Sequence, residues 1–206
     1  MWQTLIIDQS HINQKIDIFK AALRDYSLTE KLIVQKYIIH GTPYVFKDDE
    51  GKYFDLKHEI ATHFEERPEC VLMVGSAKLG FSIAPSKLWN SFSEESDIDI
   101  AIISKEIFEK FWSELYDFDI SLVSRTDREE QRYKKFLKYF FKGWLRPDLF
   151  PFKYSRTNEW FEYFKSISYK YTPQKIAGGI YYNSDLFEKY HMQNIKQLRQ
   201  EDVENE

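Results

Sequence analysis

Two short apolar runs constrain this chain more than any other feature. "VLMV" at 71–74 runs into Gly75-Ser76, and "IDIAII" at 98–103 follows Asp97 and carries Asp99 within it. Both runs are bounded like buried strands, and the second places Ile98, Ile100 and Ile102 on one alternation. Side chains two apart on a strand share a face, so Asp97 and Asp99 project together. A carboxylate is costly to bury unless something pairs with it. One reading is a polar strand edge at a turn. The other is a pair of hard oxygen donors for a divalent cation, which takes one or two carboxylates plus the phosphates of a substrate.

The preceding Gly75-Ser76 sharpens the second reading. A small residue at a strand end lets backbone approach a phosphate, and a helix starting there would turn free N–H groups toward an anion. The Ser76 hydroxyl could donate to the same group. Lys78 reads either as a further phosphate ligand or as a surface lysine.

The rest of the chain is mostly helical in period. Residues 11–25 put Ile12, Ile16, Phe19 and Leu23 on one face, with Ser10 as N-cap. "LTEKLIVQKYIIH" predicts a second helix ending at Gly41. "YVFKDDEGKYFDL" predicts a β-hairpin turning at Asp48-Asp49-Glu50-Gly51, with a short helix to Pro68 behind it. Lys105–Tyr116 groups Phe108, Phe111, Trp112 and Leu115. "DISLV" is a strand or a link, and residues 126–143 form a long helix with Tyr133, Phe136, Leu137, Phe140 and Trp144 inward. After the break "LRPDLFP" come a helix in "NEWFEYFKSIS", a strand in "KIAGGIYYN", and a last helix capped by Ser184 or Asp185, reaching Leu198 and followed by a frayed acidic tail. No repeat or linker divides the chain, and the class is α+β.

The pattern of apolar strand, Gly-Ser, short helix and "SDIDIAII" resembles the signature of the DNA polymerase β-type nucleotidyltransferase superfamily. The likeness covers residues 71–103. It implies one domain over 1–206: a small mixed sheet as core at about 44–183, with helical additions at 11–40 and 184–200. It also implies transfer of a nucleoside monophosphate from an NTP or dNTP such as ATP to a hydroxyl, with release of pyrophosphate. Asp97 and Asp99 become the ligands of Mg²⁺ or Mn²⁺, and Gly75, Ser76 and Lys78 the nucleotide cradle. Relatives act on small molecules, nucleic-acid 3′ ends or partner proteins, some in antiphage signalling or toxin–antitoxin pairs.

Two departures stand against the pattern. The 20 residues between Ser76 and Asp97 exceed the compact spacing, and "FSIAPSKLWNSF" reads as a loop over the pocket. The superfamily also brings a third carboxylate from a later strand. Asp119, between Phe118 and Ile120, fits the motif, whereas "KIAGGIYYN" has no acid. Without a third acid, the alternative is a weak or inactive module that binds nucleic acid or a partner protein. Its surface would be the basic stripe of 126–146: Arg128, Arg132, Lys135, Lys138, Lys142 and Arg146, spaced 4, 3, 3, 4 and 4 apart. Such a stripe is equally the solvated face of an amphipathic helix.

Other motifs carry less. His58 and His63 in "HEIATH" lie about 140° apart around a helix, not on the single face that a zinc helix needs. Arg146 and Asp148 read as a local ion pair, "GWLRPDLFPF" as a packed loop closing the site, and Tyr181-Tyr182 as candidate acceptors of the enzyme's own. Cys70, the sole cysteine, reads as a small buried residue, excludes an internal disulfide and suits a reducing compartment. No run approaches the roughly 18 apolar residues of a membrane span. "MWQTLIIDQSH" lacks the features of a signal peptide, and the expected location is the cytoplasm. A net charge of −4 argues against a generally basic nucleic-acid coat.

Overall fold

The computed structural model describes residues 8–121, 124–151 and 153–204. It is an α+β fold around a four-stranded mixed sheet. The strands are β1 (Val71–Val74), β2 (Ile98–Ile103), β3 (Trp144–Leu145) and β4 (Ile176–Tyr181), in the order β1-β2-β4-β3. β2 runs antiparallel to β1 and parallel to β4, while β3 pairs antiparallel with β4.

Strand alternation sorts the two faces. Val71, Met73, Ile98, Ile100, Ile102, Ile176 and Ile180 enter the larger core. That core also takes side chains from α3 (Glu50–His63), α5 (Lys105–Ile120), α6 (Asp127–Phe140) and α7 (Arg156–Tyr171). The opposite face carries Leu72, Val74, Ala101, Ile103 and Tyr181. It packs against α1 (Gln9–Arg24), α2 (Glu30–Ile33) and α8 (Ser184–Glu204). Asp99 is on this second face by the same alternation.

Helix ends show where local chemistry overrode pattern. Asp8, not Ser10, caps α1 by accepting from His11 N at 3.1 Å, while Ile12, Ile16, Phe19 and Leu23 are buried as expected. Thr29 caps α2, which continues as a π-helix over Val34–Ile39. The expected hairpin at 44–56 does not form. Asp49 accepts from Lys52 N at 2.9 Å and starts α3, which buries Leu56 and Ile60 at helical spacing. A 3₁₀ turn at Tyr44–Phe46 replaces the first arm. The helix expected at 126–143 ends at Phe140, with Phe136 buried and Leu137 facing out. Trp112 on α5 is likewise exposed. Asn183 accepts from Leu186 N at 2.8 Å at the start of α8. The acidic tail is helical to Glu204, and its last two residues lie outside the described residues, as do Leu122 and Val123 of "DISLV" and the first seven residues.

Glycine in β4 has a packing cause. A Cβ on Gly178 would stand 2.2 Å from Phe164 Cζ, in a ring that is only 2% exposed. Gly178→Ala is therefore expected to destabilise by about 1–3 kcal/mol through overpacking. Thermal denaturation followed by circular dichroism reads this; an unchanged midpoint would mean that α7 is not seated on the strand.

Candidate active site

β1 and β2 meet so that Val74 is opposite Asp99. The chain then turns at once into α4 (Gly75–Leu79), and Gly75 takes φ +69°. A Cβ there would lie 2.9 Å from Asp99 Oδ2. Glycine is thus required twice, for the left-handed backbone and for the close approach of the carboxylate. Gly75, Ser76, Asp97 and Asp99 open together into a cavity of about 1120 Å³. The upper range of ordinary small-molecule sites is about 1,000 Å³, so a nucleotide-sized ligand has room.

The electrostatics single out Asp99. Burial, then the charge of Asp97, push its carboxyl up to about 6, while Arg146 and Lys175 pull the other way. The side chain still reaches water through the cavity mouth, so this is the enclosure of a floor residue rather than of a sealed one. Asp97 faces Lys175 Nζ at 3.4 Å, with both side chains at least half exposed, and such a pair contributes little. Two neighbouring carboxylates with incompletely offset charge are a donor set that suits Mg²⁺ or Mn²⁺. No group of three or more His, Cys, Asp or Glu placed to hold a metal occurs among the described residues.

Arg146 joins the site across the sheet. Trp144 pairs with Tyr181 at the edge, and two residues further the Arg146 guanidinium acts on Asp99. Asp148 holds it with two hydrogen bonds, from Nε at 3.1 Å and Nη2 at 2.8 Å. It stacks over Tyr139 and Trp144 at 4.7 and 4.9 Å. The Arg146–Asp148 pair is local, as expected, and it also presents a fixed cation to the cavity. The floor between is kept open by Ala101, Ala177 and Gly179, which carry little or no side chain.

Other expected site residues are placed differently. Lys78 is buried, and its ammonium donates to the carbonyls of His40, at 2.6 Å, and Gly41. Burial, then the charges of Lys15 and Lys57, lower it to about 8. It ties α4 to the end of the π-helix and lies in the wall of the same cavity as the carboxylates. Asp119 lies on α5, not on a strand, and pairs with Arg125. β4 sets Ala177, not an acid, opposite Asp99.

The basic stripe does not hold together either. Arg132 donates to the carbonyls of Asp148 and Phe150 at 2.7 and 3.1 Å, and Lys142 to Gln193 Oε1 at 3.2 Å. With Arg146 in the cavity wall, Arg128, Lys135 and Lys138 are the members left fully exposed on α6. His63 stacks on Tyr163 and His58 on Phe54, as ring contacts and not as a ligand pair. Tyr181 is buried, and Tyr182 donates to Glu109 Oε1 at 3.2 Å. Cys70 is partly exposed at the entrance to β1. The 80–92 segment folds back on itself through Phe92 N to Gly80 O and Ser82 N to Asn90 O, both 2.8 Å, and Ser82, Lys87 and Asn90 line the cavity. Arg146, Pro147 and Asp148 of the expected closing loop line it too.

Two wall residues take places no local pattern gives. Arg146, expected as a stripe member and as the partner of Asp148, follows β3 and enters the cavity wall. His191 is a lone histidine on α8, and only the spatial neighbours of that helix bring it to the cavity. The chain matches no protein family, no curated protein and no solved structure.

Proposed function

We propose that the protein is a metal-dependent nucleotidyltransferase of the DNA polymerase β type. It would transfer a nucleoside monophosphate from an NTP or dNTP to a hydroxyl acceptor. The observation that carries this reading is the close seat of Asp99 Oδ2 against Gly75, with Asp97 beside it, in the lining of a nucleotide-sized cavity. A strand pair built only for stability has no need to set a carboxylate against a left-handed glycine with a second carboxylate beside it.

In this reading Asp97 and Asp99 hold Mg²⁺ or Mn²⁺. The cation, when bound, neutralises charge on the phosphates and lowers the pKa of the acceptor hydroxyl. Gly75 admits the phosphate chain close to the backbone, and the Ser76 hydroxyl donates to it. Arg146, fixed by Asp148 and by two aromatic faces, supplies positive charge without reorganising, which is where such sites gain most. Lys175 can leave its weak pair with Asp97 for a phosphate. The acceptor hydroxyl gives up its proton to solvent, its oxygen bonds to the α-phosphorus, the bond to the β-phosphate oxygen breaks, and pyrophosphate leaves with that electron pair.

A second reading has one observation behind it. The strand position facing Asp99 is Ala177, so a third carboxylate is missing where the superfamily resemblance expects one. A module that binds a metal–nucleotide complex without turnover would need only the two acids. Incubation with each labelled NTP and dNTP plus Mg²⁺ or Mn²⁺ separates the two. The transferase reading expects pyrophosphate release that disappears in Asp97→Ala and Asp99→Ala. Tight nucleotide binding with no release under any pairing favours the silent module.

A further inference from the structure

The cavity wall that β3 and α8 supply is built differently from the acid wall. His191 is 7% exposed and lines the wall, yet neither ring nitrogen meets a hydrogen-bond partner among the described residues. The Trp144 Nε1 is also buried without a partner there, and it lies where a Cβ on Gly179 would come to 2.7 Å. The two rings share neighbours. Trp144 stacks on Tyr181 with centroids 5.3 Å apart and meets Tyr190 at 4.9 Å. His191 packs on Phe187 at 4.5 Å and on Tyr190 at 5.4 Å. The side chains of Asn194 and Gln197 complete this wall.

Buried polar groups are normally paired, and each exception calls for a cause. Here the exceptions converge on one aromatic-walled space. Burial lowers His191 to about 4, so at neutral pH the ring is uncharged and offers one N–H donor and one acceptor nitrogen. Trp144 adds a second donor. Arg146, over the Trp144 ring at 4.9 Å and acting on Asp99, joins this wall to the acids.

We propose that His191 and Trp144 form a recognition subsite for a planar heteroaromatic ring with a hydrogen-bond donor beside an acceptor: a nucleobase. The identification of the ring as a nucleobase rests on the nucleotide reading of Asp97 and Asp99. The base lies against Tyr190 while its edge pairs with His191 and with the Trp144 N–H, and the phosphates extend over Ala101 and Ala177 toward the acids. One ligand thus spans the aromatic wall and the acid pair.

The test uses the full chain in two separate titrations. Adenosine, guanosine, cytidine and uridine are titrated in EDTA and followed by tryptophan fluorescence, which reads the subsite without phosphate or metal. Tripolyphosphate with Mn²⁺ reads the acid end without a base. At least one nucleoside is expected to bind, and His191→Phe is expected to weaken it by about 10-fold, the effect of one lost hydrogen bond. The same variant leaves tripolyphosphate–Mn²⁺ binding unchanged. Trp144→Phe, which keeps a ring and removes the N–H, provides the second variant should His191→Phe fold poorly, and is followed by calorimetry. Equal nucleoside affinity in wild type and variants overturns the subsite. So does tripolyphosphate binding with no nucleoside binding, which leaves the acid site standing. Nucleoside binding without tripolyphosphate–Mn²⁺ binding supports the subsite and sinks the metal reading alone.

Discussion

Asp99→Asn is expected to cut pyrophosphate release by about 10²–10³-fold or more and, in EDTA near neutral pH, to raise the thermal midpoint. The two effects share one origin. With its carboxyl pushed up to about 6 from an ordinary 3.8, the folded chain holds that proton more tightly than the unfolded chain does. Its contribution to stability is therefore fully present below 3.8 and is lost as pH rises through about 6. Asparagine carries no charge to enclose, so the variant gains over wild type across that window and keeps the gain above it. Solvent access to Asp99 limits the rise to about 2–4 °C. Thermal midpoints of both proteins from acid to neutral pH check this: the curves converge at the acid end and part above it. Parallel curves, or a variant less stable at neutral pH, would show a structural aspartate whose hydrogen bonds outweigh its enclosure. A residue whose removal stabilises the fold and abolishes activity is held for function.

Gly75→Ala is the companion experiment, with both effects in the same direction. An alanine at φ +69° incurs about 1–2 kcal/mol for the left-handed backbone. Its methyl group also displaces Asp99 Oδ2, now 2.9 Å from that position. A lower thermal midpoint and loss of pyrophosphate release are expected together. An additional Asp99→Asn change relieves none of the backbone strain, so the double variant stays less stable than Asp99→Asn alone by about the same 1–2 kcal/mol. Full activity in Gly75→Ala would mean that the carboxylate does not need its present seat.

The acid pair and the Gly-Ser were legible because a strand's period is strict and short. Asp99 on the face opposite Ile98, Ile100 and Ile102 follows from alternation alone, as does the buried face of β2. Residues 44–56 misled because aromatic and β-branched residues around an acidic turn look like two strands. The deciding interaction is the Asp49 cap on Lys52 N, and an aspartate suits a turn as well as it suits a helix start. Asp119 looked like a strand acid because three residues cannot distinguish a strand from the last turn of a helix; α5 carries it elsewhere. Lys78 depended on where the neighbouring chain ends lie. The carbonyls of His40 and Gly41 come to it from the turn that ends the π-helix, 38 and 37 residues away in sequence. The basic stripe divides because the helix stops at Phe140 and the later cations turn to other partners, which leaves Arg128, Lys135 and Lys138 exposed on α6. Arg146 and His191 enter the cavity wall through tertiary contacts, which no local pattern records.

The central claim is that Asp97 and Asp99 hold a divalent cation in common with a nucleotide triphosphate. Equilibrium binding of Mn²⁺, followed by the paramagnetic resonance of the free ion, tests it directly in wild type, Asp97→Ala and Asp99→Ala. The claim requires binding in wild type that tightens when a nucleoside triphosphate is added and when pH rises through about 6, and that collapses in both variants. Mn²⁺ and nucleotide binding of undiminished strength in the two variants would contradict it.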